Sequence, residues 1–287
     1  IFQLSSKESE AFESTYKPSE SGNIFIKDAR ILTGTGNEIL RGNILISSNK
    51  IKAIGKEVVK PLDAKVINAE GKWITPGIID IHSHMGVYPA PGLRSSSDGN
   101  ESTSPITAHV WAEHSVWTQD PQMPLALKGG ITTFHVLPGS ANLIGGRGVT
   151  LKNIWSRTVQ GMKFPGAPYN LKMACGENPK RVYGGRRNEP STRMGNVAGY
   201  RKAWIRAQGY RNRLMEYESK SEEAKELEYA PSRDLELETL VGVLNGEILI
   251  QNHCYRGEEM SVMLDIAKEF NYKVTTFHHA IEAYKIA

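Results

Sequence analysis

Gly77-Ile78-Ile79-Asp80-Ile81-His82-Ser83-His84-Met85-Gly86 reads as a strand that ends in two histidines one residue apart. Side chains alternate along a strand, so His82 and His84 leave the backbone on one face. Two neutral imidazoles side by side at the carboxyl end of a strand are ligands for one zinc-like ion. Histidines also meet at strand ends by chance, and the bare spacing does not choose between these readings. The surroundings favour the ligand reading. Pro76-Gly77 opens the strand, Ile78, Ile79 and Ile81 make it apolar on both faces as in a buried parallel sheet, and Asp80 shares the histidines' face as an acceptor for a ring N–H.

Upstream, residues 24–76 are short β runs, IFIKDARIL, EILRGNILIS, IKAIG and KVINAEGKWITPG, separated by turns such as Gly34-Thr35-Gly36-Asn37 and Ser48-Asn49-Lys50. This spacing predicts a small antiparallel domain that serves as scaffold. Residues 1–23 are rich in Ser, Glu and Lys and read as a tail lying over another surface or partly mobile.

Downstream, three more strands are expected to close on metal-type residues. Leu171 to Asn178 ends near Glu177, Glu247 to His253 ends in histidine, and Tyr272 to His279 ends in the pair His278-His279. Between the last two, residues 260–270 form a helix with Met263, Leu264, Ala267 and Phe270 on one side. Strand, helix, strand with a ligand at each carboxyl end describes the rim of a parallel barrel. The loop after the first strand contributes Tyr88 and Arg94 to that rim, and His109 and His114 follow. Each of these four alone is more often a surface or packing residue than a substrate contact. His135 reads as a core histidine. The glycine-rich run Gly139 to Gly148 either holds an anion through its amides and Arg147 or is a tight connection before the strand GVTLKN. Residues 185–230 resemble an insertion, with Val197, Tyr200, Trp204, Ala207, Leu214 and Tyr217 on a helical stripe and a solvated, mixed-charge face over 216–228.

The 287 residues suffice for one large barrel or two modest domains. A net charge of +4, from 35 basic and 31 acidic residues, points to no nucleic-acid partner. Lys180, Arg181, Arg186 and Arg187 form the one basic cluster, read as a solvated or anion-binding loop. Cys175 and Cys254 fall in expected strands, so no disulfide framework is predicted. No apolar run is long enough for a membrane span, and the compartment, periplasmic, secreted or cytoplasmic, stays open.

The run Trp73 to Gly86, WITPGIIDIHSHMG, resembles the first barrel strand of the amidohydrolase superfamily, and LPGSANLIGGRGVTLKN and HHAIEAYKIA follow in the family's order. The nearest subgroup is imidazolonepropionase-like and includes dipeptidases. The resemblance implies an α/β fold, a (β/α)8 TIM-type barrel beside a small N-terminal β-sandwich. It divides the chain into a tail (1–23), an incomplete sandwich (24–76) and a barrel (77–287) holding about six βα units. Strands seven and eight, with the aspartate that serves as base, would come from a complementary C-terminal segment or chain, and a homo-oligomer is possible. One or two Zn2+ ions would be held by His82, His84, Glu177, His253 and His279, with Glu177 bridging. Lys172, carboxylated, is the rival bridge, but five residues before Glu177 it reads as too deep. His279 is preferred to His278 by its match before Glu282-Ala283-Tyr284-Lys285. Tyr255 and Arg256 join Glu177 as catalytic candidates, holding a substrate carboxylate or the developing oxyanion. The implied reaction is metal-dependent hydrolysis of a C–N bond in a small-molecule amide, dipeptide or cyclic amide. A non-catalytic binding or assembly module and a phosphoester hydrolase are the alternatives.

Overall fold

Residues 12–287 are described by a computed structural model, and they divide into two units, 15–78 and 79–287 together with 12–14. In the first unit, β1 (Ile24–Leu32), β2 (Glu38–Ser47), β3 (Lys50–Gly55), β4 (Lys65–Asn68) and β5 (Trp73–Ile74) make one sheet. Ser48 and Asn49, both at positive φ, form the two-residue turn that lets β2 pair antiparallel with β3. The sheet is not wholly antiparallel as expected. β4 and β5 both run parallel to β1, because residues 56–64 are long enough to carry the chain across before it pairs again. Ala29, Ile31, Ile44 and Ala69 are the core of this unit.

The second unit holds β6 (Ile78–Ser83), β7 (Ile131–Val136), β8 (Ile144–Lys152), β9 (Asn170–Ala174), β10 (Leu249–Cys254) and β11 (Val274–His279), in chain order across one sheet. Its helices are α1 (Gln122–Lys128), α2 (Val159–Met162), α3 (Glu177–Gly184), α4 (Arg193–Glu218), α5 (Glu222–Glu226), α6 (Leu235–Leu244) and α7 (Gly257–Phe270). β9, β10 and β11 are parallel, joined by helices as a barrel requires. The expectation of six like βα units fails at β8, which is antiparallel to both β7 and β9. Residues 137–143 join β7 to β8 without a helix, and so short a connection can only reverse the chain. Gly146 in β8 carries a φ of 110°, and a Cβ there would stand 2.5 Å from the carbonyl oxygen of Val110, so only glycine fits.

A flat sheet would hold its first and sixth strands about 24 Å apart. Here His82 of β6 and His278 of β11 touch, Nδ1 to Nδ1, at 2.9 Å, so the sheet is curled until its two edges face each other. The outer layer is pinned by α4, whose Tyr200, Ala203, Trp204, Ala207 and Tyr210 are buried in one cluster with Leu171, Met173 and Ile250 of the strands. β6 differs from the buried strand its sequence suggests. Ile79 and Ile81 are each 62% exposed, because among the described residues β6 is an edge strand with nothing over its outer side.

Cys175 and Cys254 are joined as a disulfide, contrary to the sequence reading. The register explains it. Ala174 stands opposite His253, so the next residues on these neighbouring strands lie with Cα atoms 5.2 Å apart, inside the range that a disulfide spans. Among the described residues no helix is long and apolar enough to cross a membrane.

Candidate active site

Six of the chain's histidines lie on strands of the curled sheet or just beyond their carboxyl ends: His82, His84, His135, His253, His278 and His279. The hydrogen-bond chain through three of them fixes where their protons sit. Nδ1 of His84 lies 2.8 Å from the carbonyl oxygen of Leu137, which only accepts, so Nδ1 carries the proton and Nε2 is a bare lone pair. Nε2 of His278 lies 2.7 Å from Oε1 of Gln251 and donates to it, leaving Nδ1 of His278 as an acceptor. His82 then donates from Nδ1 to that acceptor and keeps its own lone pair on Nε2. The two remaining lone pairs, Nε2 of His82 and Nε2 of His84, face each other 3.3 Å apart. Two acceptors so placed repel unless a cation lies between them. Two nitrogens on one tetrahedral ion, each about 2.0–2.1 Å from it, are separated by about 3.4 Å.

Burial strengthens this. Loss of hydration pushes His82 down to about 2, His253 down to about 3 and His278 down to about 4 from the usual histidine value, and it lowers His84, His135 and His279 as well. The imidazoles are therefore neutral, the form that binds metal. A divalent cation fits the chemistry of these donors. Their number falls short, since among the described residues no three His, Cys, Asp or Glu side chains converge on one point.

The carboxylate expected to bridge is placed otherwise. Strand β9 ends at Ala174, because Gly176 takes a φ of 71° and turns the chain, and Glu177 opens α3 with its side chain exposed. Lys172, judged too deep from sequence, lies two residues from the strand's end. It is 1% exposed, and its ammonium donates to the carbonyl oxygen of Pro138 at 2.9 Å. Burial alone lowers it to about 7, and its charge acts on His82, His84, His253, His278 and His279. Lys172 was legible as a lysine inside the buried run LKMA.

His253 is buried with Nε2 3.0 Å from Nδ2 of Asn178, an amide on α3 that also donates to Oγ of Ser140 at 2.9 Å. His279 stacks near His253 and His82, with ring centroids 4.6 and 5.0 Å away. A regular strand would send His278 and His279 to opposite faces. Positive φ at His279 (66°) and Ala280 (43°) breaks the alternation and brings both into the cluster. Tyr255 lies against His253 and His279 at 4.6 and 5.6 Å between ring centroids. Arg256 caps α7 and stands 4.0 Å from Oε1 of Glu258.

Of the other candidates, Tyr88 stacks edge-on to His84 at 5.7 Å. Arg94 is exposed in a short 3-10 turn, His109 lies 3.8 Å from a carboxylate oxygen of Glu236, and His114 stacks on Trp111. His135 donates or accepts through Nδ1 at Thr150, 2.9 Å away. The loop after β7 does line the cluster through Leu137, Pro138 and Ser140, but Arg147 does not. Its guanidinium is buried over the Trp111 ring at 4.2 Å with Nε on Thr239, and burial lowers it to about 10. Asn178, Ser140 and Leu137 escaped the sequence reading, since an amide, a hydroxyl and a carbonyl carry no spacing signal.

The chain as a whole resembles known proteins. An amidohydrolase from Thermotoga maritima MSB8 superposes on 92% of the chain with a TM-score of 0.84 and 35% identity, over 66% of that protein's length. Amidohydrolase tasK of Hapsidospora irregularis is 33% identical over 294 residues, 94% of this chain and 30% of its own. A dihydroorotase from Geotalea daltonii is 40% identical over 76 residues, 26% of this chain and 17% of its own length. The chain belongs to the amidohydrolase superfamily. No family model matches it. The chain spans about a third of tasK and just under two thirds of the Thermotoga amidohydrolase.

Proposed function

We propose that this amidohydrolase chain carries the histidine part of a site that hydrolyses C–N bonds with a divalent cation of the zinc class, one or two ions. The observation that carries the reading is the pair of lone pairs on Nε2 of His82 and Nε2 of His84, facing each other at 3.3 Å. A bound cation would supply a water of lowered pKa and polarise the scissile carbonyl. The chain's own residues prepare this. Leu137 holds the His84 ring in the tautomer that leaves Nε2 free, and Gln251, through His278, does the same for His82. Burial keeps the imidazoles of His82 and His84 unprotonated. His253, His279 and either Glu177 or a carboxylated Lys172 are the proposed remaining ligands, with Lys172 favoured by its place among the rings. Tyr255, whose ring meets His253 edge-on and lies tilted against His279, is the proposed partner of a substrate carboxylate or the developing oxyanion, and Arg256 is a weaker candidate because Glu258 lies near its charge.

The relatives named as amidohydrolases and as a dihydroorotase support amides and cyclic amides as the substrate class, and dipeptides belong to the same proposal. Completion of a (β/α)8 barrel, a β-sandwich, and a base supplied from a further strand belong to the same proposal. The test is elemental analysis of the complete protein with a screen of dipeptides and cyclic amides. Purified protein that holds no divalent metal, gains none on incubation with zinc, and cleaves none of these compounds would overturn it.

A further inference from the structure

Residues 178–188 hold Lys180, Arg181, Arg186 and Arg187 and no acidic residue. Three exposed arginines of the neighbouring α4 are neutralised, Arg193 by Glu258 at 3.3 Å, Arg201 by Glu269 at 2.7 Å and Arg206 by Glu236 at 2.9 Å, while Arg213 lies over the Tyr210 ring. Among the described residues none of the four basic residues on and after α3 makes an ion pair. For Arg181 this is unexpected on local grounds, since Glu177 lies one turn before it on the same helix, the spacing and order at which such pairs form most readily. Arg181 reaches instead toward Oδ1 of Asn178 at 3.5 Å, and Nδ2 of the same amide lies 3.0 Å from Nε2 of His253. One amide group separates the guanidinium from the imidazole. Because α3 follows β9 directly, its first turns stand over the carboxyl ends of the strands, where a barrel binds its substrate.

The geometry points to Arg181 as the anion-binding residue of the site, and we propose that it takes the carboxylate of an amide substrate that bears one close to its scissile C–N bond. This rests on the reading of the histidine cluster as a C–N hydrolase and narrows its substrates to N-acyl amino acids and similar anionic amides. A guanidinium fork binds a carboxylate through two parallel hydrogen bonds, which fixes the substrate's direction as well as its charge. Arg256, the arginine favoured by sequence, is partly satisfied by Glu258 at 4.0 Å, whereas Arg181 has a neutral amide as its partner.

The probes are N-acetylglycine and N-acetylglycinamide, one acyl amide with and without the charge, titrated calorimetrically into the full protein. The expected result is at least about tenfold tighter binding of the acid, lost in Arg181→Gln and partly kept in Arg181→Lys, with unchanged circular dichroism in both variants. An unchanged preference in a folded Arg181→Gln protein, or no preference in the parent, overturns the assignment. Turnover of neutral and anionic amides, measured on the same samples, separates the two readings. An Arg181-dependent preference without hydrolysis of any amide supports the anion site while refuting the hydrolase. Hydrolysis with no preference for charge refutes the anion site and leaves the hydrolase standing.

Discussion

His84 is held by a backbone carbonyl and His82 by another side chain, so the two should fail differently when altered. His84→Ala removes the nitrogen whose tautomer is fixed by Leu137, and zinc affinity measured by competition with a chromophoric chelator should fall by about a hundredfold or more. Gln251→Leu leaves both rings in place and unties only the far end of the chain, so a loss of about tenfold is expected. The same residues set the pH response. The histidines titrate lower in the folded chain than in the unfolded one, so as pH falls below about 6.5 the unfolded chain takes up protons first and stability drops. Lys172 acts in a higher window with the same sign. Held at about 7 by burial against a usual 10.5, it leaves the unfolded chain with the extra proton between those values, so stability rises with pH there by up to about 1.4 kcal/mol per unit. Urea denaturation of chelator-treated protein at pH 7.5 and 9.5 should show that rise, and Lys172→Met should abolish it. An equal rise in the variant would mean that Lys172 is not the group responsible.

Strand ends decided what could be read in advance. His82, His84 and His253 were singled out because each stands at or just beyond the end of an apolar run, and the structure places His82 and His253 within β6 and β10 and His84 one residue past β6. Glu177 was assigned to a strand because nothing in Met173-Ala174-Cys175-Gly176 signals a break except the glycine. That glycine's φ of 71° ends β9 early and turns Glu177 out onto α3, while Lys172 stays buried within the strand. His278 was passed over because the choice between the two consecutive histidines rested on the match before Glu282-Ala283-Tyr284-Lys285, and not on where the strand sends each ring. The antiparallel β8 was hidden within a glycine-rich run that reads equally as a loop. Helix α4, by contrast, was plain from its stripe. Trp204, fully buried and stacked near Tyr272 at 4.5 Å between ring centroids, is its main anchor. Trp204→Ala should cost about 3–5 kcal/mol in chemical denaturation, against near zero for exposed Ile205→Ala on the other side of the same turn.

The whole sheet is curled far enough for His82 and His278 to touch, yet its first strand still turns Ile79 and Ile81 outward at 62% exposure. Each isoleucine gains about 1.5–3 kcal/mol on full burial, so an edge strand that carries two of them attracts another strand. Expressed as Ile1 to Ala287, the protein should therefore associate in a concentration-dependent way in sedimentation velocity. The double variant Ile79→Ser, Ile81→Ser should reduce that association while leaving its circular dichroism intact, because neither side chain contributes to the packed interior. A longer polypeptide, extended to the length of the Thermotoga amidohydrolase, should sediment as a defined species if its added strands cover this edge. Association that is unaffected by the double variant would place the adhesive surface elsewhere. A parent chain that stays monomeric at high concentration would show that the open edge is satisfied by the curl of the sheet itself.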